Sequence, residues 1–215
     1  HNLASQDPQK AKDALEIMNE MYREGVPSTV EPDCRCYNTV IEAYILVGDV
    51  TTAQEILQSM EDRVDQEEGG NLTSVMAPSE YTYMMVAQAW ADDAKDDVSG
   101  KSAEQAERIM RRMQERGLPP NVKVWSIVME GWRKRSGIAR IAMKRAEDLL
   151  QEMEAVLETQ GGVDDSDENG DSPTTPTVAT APPPNIITYT SYIAGLSRSK
   201  DRCLARKADA TLVRM

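Results

Sequence analysis

The sequence predicts an all-α protein built from repeated helical hairpins, and three local observations carry that expectation. An apolar stripe of Ala at i, aliphatic residues or Met at i+3 and i+4, and Met at i+7 recurs five times along the chain. A block led by Tyr or Trp precedes each of the last four stripes. A Pro followed by a short polar residue stands just upstream of every block. Together they define a unit of loop, helix A, turn and helix B.

The stripe comes first in chain order as Ala14/Ile17/Met18/Met21, then as Ala53/Ile56/Leu57/Met60, Ala106/Ile109/Met110/Met113 and Ala146/Leu149/Leu150/Met153. The last copy, Ala208/Leu212/Met215, lapses at Thr211. Such spacing is one face of an α-helix, so each copy predicts a helix B with a buried stripe. The blocks begin at Tyr37, Tyr83, Trp125 and Tyr189, and seven residues later come Tyr44, Trp90, Trp132 and Leu196. The upstream pairs Pro32-Asp33, Pro78-Ser79, Pro120-Asn121 and Pro184-Asn185 suit a loop end and the cap of a new helix A. Ser102 with Gln105 reads as a capping box that starts the helix B after the second block.

Equivalent positions Asn38, Met84, Ser126 and Thr190 are 46, 42 and 64 residues apart, so the connections vary while the helices keep their internal spacing. The expected units are residues 1–33 (a helix B and loop), 34–79 with a loop insert at 64–75, 80–121 with a turn insert at 92–100, 122–185 with an insert at 158–183, and 186–215, a truncated last unit. The 158–183 segment is rich in Asp, Thr and Pro and predicts disorder. The chain starts on His1 and has no signal or transit segment, which reads as a fragment or a processed form.

Charge has to be located before it is interpreted. The 215 residues carry a net −12, and residues 61–68, 92–97 and 164–171 contribute −4, −3 and −5 of it. The acidity is thus expected in insertions, leaving a neutral body that does not repel nucleic acid. No apolar run approaches the ~18 residues of a membrane span. Three cysteines, sparse and odd in number, point to a reducing intracellular compartment.

Catalytic chemistry has little to stand on. The single histidine is His1, so no His-based base or triad is at hand. Cys34, Cys36 and Cys203 fall short of the about four ligands of a tetrahedral metal site. The acidic run 164–171 lacks the spaced ligands and closing Glu of a Ca²⁺ loop. Asn71-Leu72-Thr73 is a glycosylation sequon, relevant only to a secreted protein. There is no Gly-rich phosphate loop. The expectation is a chain that is not an enzyme and takes no cofactor and no metal.

Pro32-Asp33 with Tyr37-Asn38-Thr39-Val40-Ile41, and Ala53-x-x-Ile56-Leu57-x-x-Met60, resemble pentatricopeptide repeats, as does the run from Arg112 to Asn121. The tetratricopeptide pattern of Trp-x₂-Leu-Gly-x₂-Tyr does not occur. The resemblance covers nearly the whole chain and implies an all-α, right-handed superhelical solenoid of helix-turn-helix repeats. It also implies modular, sequence-selective binding of single-stranded RNA, about one base per repeat. Its base-reading pairs fall on Asn38 with Ser79, Met84 with Asn121, and Ser126 with Asn185; Asp33 and Thr190 are half-pairs. Met84 departs from the pattern, because a thioether is a poor base-edge partner. The base-flanking position holds Arg35, Tyr81, Lys123 and Ile187. Lys134 and Arg198 share a repeat position suited to phosphates, with Arg133, Arg135, Arg140, Lys144 and Arg145 nearby. The family's pairing rules give Asn with Ser a preference for C and Ser with Asn for A. Read 5′ to 3′ along the chain, the implied target is 5′-C-N-A-3′.

The resemblance further implies a mitochondrial or plastid protein serving RNA processing, stabilisation, editing or translation. Two other readings stand beside it. One is a protein-binding helical scaffold whose acidic inserts contact a partner. The other is the specificity arm of an RNA-processing enzyme, such as a protein-only ribonuclease P. Recurrent polar residues at one helical position favour the RNA reading over the scaffold.

Overall fold

The computed structural model describes residues 7–23, 32–66, 76–93, 100–133, 139–160 and 181–198. Among them are eight α-helices and no strand, so the fold is all-α. The helices are α1 (Pro8–Arg23), α2 (Cys34–Leu46), α3 (Val50–Gln66), α4 (Glu80–Asp93), α5 (Lys101–Glu115), α6 (Val122–Arg133), α7 (Ala139–Gln160) and α8 (Ile186–Arg198). Odd-numbered helices carry the Ala–Met stripes and are helices B. Even-numbered ones carry the aromatic blocks and are helices A. Two compact units divide the chain within α4, at Ala89 and Trp90.

In the first unit α2 packs against both α1 and α3. Asp33 caps α2 by accepting from the Cys36 amide at 2.9 Å. The helix ends at Gly48, whose φ of +85° only glycine adopts without strain. Gly48 and Asp49 amides bond back to the Ile45 and Tyr44 carbonyls at 3.0 Å each. Asp49 then caps α3, accepting from Thr51 Oγ1, Thr52 N and Thr52 Oγ1. The stripe residues Ala53, Ile56, Leu57 and Met60 are all buried, together with Tyr37, Tyr44 and Tyr83. Each large apolar side chain buried in this way contributes roughly 1.5–3 kcal/mol.

The stripe of α1 is turned differently. Leu15 and Asn19 are the buried residues, whereas Ile17 is 56 % exposed. Ile17 lies about 200° around the axis from Leu15, so the side of α1 that meets α2 excludes it. The expectation that 61–66 are insert charges is also corrected. Helix α3 runs through Gln66, Val64 continues the buried stripe, and Glu61 is 1 % exposed. Glu61 is inside because the Tyr83 hydroxyl donates to its carboxylate at 2.7 Å.

In the second unit α6 packs against α5, α7 and α8, and α7 also meets α8. The stripes Ala106/Ile109/Met110/Met113 and Ala146/Leu149/Leu150/Met153 are buried, as are Trp125 and Trp132. Ser102 does not form a capping box. It lies inside α5, which is preceded by Gly100 at φ +96°, and its hydroxyl donates to Asp93 at 2.7 Å. Helices A share a small residue six positions after the leading aromatic: Ala43, Ala89, Gly131 and Gly195. A Cβ on Gly131 would sit 3.3 Å from the Ala91 backbone, so the small residue permits close approach of α6 to the end of α4.

Helix-A aromatics also hydrogen-bond to the preceding helix B. Tyr37 donates to Asn19 at 2.9 Å, and Tyr189 donates to Glu154 at 2.9 Å, the counterpart of the Tyr83–Glu61 bond. Arg63 reaches from α3 to both Asn19 and the Tyr37 hydroxyl, tying three helices. In the second unit the knot is Glu107, 6 % exposed, which accepts from Trp132 Nε1 at 3.1 Å and Arg145 Nε at 3.0 Å. Arg111 lies 3.8 Å from the same carboxylate, stacks over Trp125 at 5.5 Å and is bidentate to Glu152 at 2.6 Å.

The last expected inserts are mostly outside the described residues. Helix α7 runs through Gln160, and Ala181 is buried just before α8. Residues 161–180 lie outside the described residues, as do 67–75, 94–99 and the fifth stripe.

Candidate nucleic-acid interface

The residue after each leading aromatic, polar in all but Met84, sits one turn into its helix A, and the polar residue before each helix A caps it. Ser79, Asn121 and Asn185 are all such caps. Ser79 Oγ accepts from the Thr82 amide at 3.3 Å. Asn121 Oδ1 accepts from the Lys123 and Val124 amides at 3.0 and 3.1 Å. Asn185 Oδ1 accepts from Ile187 and Thr188 at the same distances. The cap uses only the side-chain oxygen, and the Asn185 Nδ2 makes no hydrogen bond among the described residues. Asp33 is the corresponding cap of α2. The Cys36 amide holds its carboxyl below the ordinary range, with a smaller contribution from the charge of Arg35.

Asn38 and Ser79 come together through a third residue, Thr82. The Thr82 hydroxyl donates to Asn38 Oδ1 at 2.8 Å and lies 3.0 Å from Ser79 Oγ. Nothing in composition singles out Thr82. Its signal was the shared repeat position with Thr188, just before the leading tyrosine in both blocks. Both threonines are fully buried. Ser126 differs from Asn38 in having a buried hydroxyl with no hydrogen-bond partner among the described residues. Thr190 is exposed and donates back to the Ile186 carbonyl.

Residues 16–64 match the family model described as a pentatricopeptide repeat domain, a stretch that holds Asn38 within α2 and most of α3. Over that stretch the chain is similar to a pentatricopeptide repeat. A chloroplastic pentatricopeptide repeat-containing protein of Arabidopsis thaliana is 27 % identical over 128 residues, which is 60 % of this chain and 14 % of that protein. The chain therefore spans a small part of the length of that relative.

The four positions expected to flank bases are alike in one respect. Arg35, Tyr81, Lys123 and Ile187 are all exposed at the start of their helices. The basic group around α6 and α7 is less free than its sequence implies. Arg133 is held by Glu130, and Arg145 by Glu107 with Asp148 at 3.8 Å. Those carboxylates raise both guanidinium pKa values through their hydrogen bonds. Lys144 is exposed. Lys134 and Arg135 lie outside the described residues, and Arg140 and Arg198 are described only as helical backbone. Cys34 and Cys36 are half-buried and unbridged, and burial pushes the Cys36 thiol up, so it is a poor thiolate ligand or nucleophile. No helix of the described residues is long and apolar enough to cross a membrane.

Proposed function

We propose that the chain binds single-stranded RNA sequence-selectively, with Asn38/Ser79 and Ser126/Asn185 as base-reading pairs and Asp33 and Thr190 as half-pairs. The observation that supports this best is the joining of Asn38 to Ser79, 41 residues apart in sequence, at the Thr82 hydroxyl. Arg35, Tyr81 and Lys123 flank the bases, where an aromatic or guanidinium face stacks for about 1–3 kcal/mol per base. Lys134 and Arg198 follow the phosphates. Met84 with Asn121 is indifferent to base. The order of readers gives 5′-C-N-A-3′, and the role is to position an organellar transcript for processing, stabilisation or translation, without a catalytic step of its own. The chloroplast name of the relative supports a plastid, and the likeness to pentatricopeptide repeats a plastid or mitochondrion.

The test is a titration of the full chain with short single-stranded RNAs, the matching DNA duplex and RNAs varied at one position. Binding prefers single-stranded RNA carrying C-N-A. With about two or three phosphates neutralised, log K falls with log salt at a slope near 2, from ~0.7 per phosphate for single strands. Equal affinity for duplex DNA, or no salt dependence, refutes the reading.

A further inference from the structure

We infer that Thr82 is a positioning residue that fixes the Asn38 amide so that it offers a base a hydrogen-bond donor. The inference deepens the reading above and rests on it. Thr82 is fully buried, so its hydroxyl proton has to find an acceptor inside the protein. The Ser79 amide already donates to Thr82 Oγ1 at 3.1 Å, and the proton of Thr82 goes to Asn38 Oδ1 at 2.8 Å. With the oxygen of Asn38 held there, its Nδ2 is the group left to act. One amide proton approaches Cys34 Sγ, a weak acceptor, at 3.6 Å. The other makes no hydrogen bond among the described residues.

A fixed donor discriminates between the pyrimidines. Cytosine carries an acceptor at ring N3, whereas uracil carries an N3–H donor there. An amide whose oxygen is anchored meets cytosine and leaves uracil with two opposed donors. An unanchored amide turns over and accepts from uracil equally well. The device is absent from the last repeat. Thr188 spends its proton on the Asn185 carbonyl at 2.7 Å, and the Ser126 hydroxyl has no partner among the described residues. The two equivalent threonines therefore do different work, and Thr188 serves as the internal control.

The experiment measures affinities of the full chain for RNAs that differ only as C-N-A or U-N-A. Thr82→Val, which keeps the shape and removes the hydroxyl, lowers the C:U ratio about fivefold or more, the scale of one mispaired buried polar group. Thr82→Ser restores the ratio, and Thr188→Val leaves it unchanged. Asn38→Asp, which keeps an acceptor for Thr82 but presents a second acceptor outward, swings the preference towards uracil. That variant also answers the question if Thr82→Val no longer melts cooperatively. An unchanged C:U ratio in a folded Thr82→Val protein, or in Asn38→Asp, overturns the inference while leaving RNA binding intact. A wild-type protein with no C:U preference overturns the base-reading assignment itself, and this inference with it.

Discussion

Removing the Glu107 carboxylate tests how the second unit is held together. In Glu107→Ala the Trp132 indole N–H, in a residue 4 % exposed, loses its acceptor. An unpaired buried donor costs about 1–3 kcal/mol. Arg145 is 43 % exposed and turns to water, and Arg111 keeps Glu152 at 2.6 Å, so the lost ion pairs add about 0–1 kcal/mol. The total is about 1–4 kcal/mol. Glu107→Gln keeps an oxygen for Trp132 and forfeits only the charge, a loss of about 1 kcal/mol or less. Urea unfolding followed by circular dichroism separates the two variants by their midpoints at constant slope. The double variant Glu107→Ala with Trp132→Phe costs less than the sum of the singles, since the orphaned donor has gone. Equal losses for Ala and Gln, or an additive double variant, refute the assignment of the main cost to the indole N–H.

Met60→Ala and Leu149→Ala, both at fully buried stripe positions, each lower stability by about 2–5 kcal/mol in the same assay. Asp33→Ala costs about 1 kcal/mol at neutral pH as a lost helix cap. Because the folded pKa of Asp33 lies below its ordinary 3.8, its contribution is full above that value and is lost as pH falls through the folded pKa. The melting temperatures of wild type and Asp33→Ala therefore begin to converge as pH falls below about 3.8 and stay apart above it. Asn185→Asp keeps the oxygen that caps α8, so the protein stays folded, while the third base shifts from A towards G because a carboxylate has no donor for adenine's ring nitrogen. RNAs varied at that base measure the A:G ratio.

The helices and their buried faces were legible because a 3.6-residue period leaves its mark on sequence: Ala53 to Met60 reads as a stripe without any structure. Turn chemistry was legible in part, since Pro-Asp and Pro-Asn announce caps, whereas Ser102 followed by Gln105 imitates a cap that Gly100 supplies. Charge was the weakest guide. Glu61 and Glu107 carry the same label as solvated glutamates, and only a tyrosine or tryptophan brought from another helix makes their burial possible. The same limit hid Thr82. Its neighbours Asn38 and Cys34 are 44 and 48 residues away, and that proximity depends on helices A lying side by side. Sequence registered the shared position of Thr82 and Thr188 but not the different acceptors that their protons reach.

The bonds from helix-A tyrosines to the preceding helix B have a bearing on how such a chain changes length. Tyr189 grips Glu154 directly, so the α7–α8 joint is set by the helices on either side of the 161–180 connection. Closing a flexible connection becomes dearer by only about 0.6 kcal/mol for each doubling of its length. A joint that locks side chain to side chain leaves the linking peptide free to gain or lose residues without moving the next helix out of step. Insertions then accumulate between units as silent punctuation, and the interval from Ser126 to Thr190 reaches 64 residues while Tyr189 still meets Glu154.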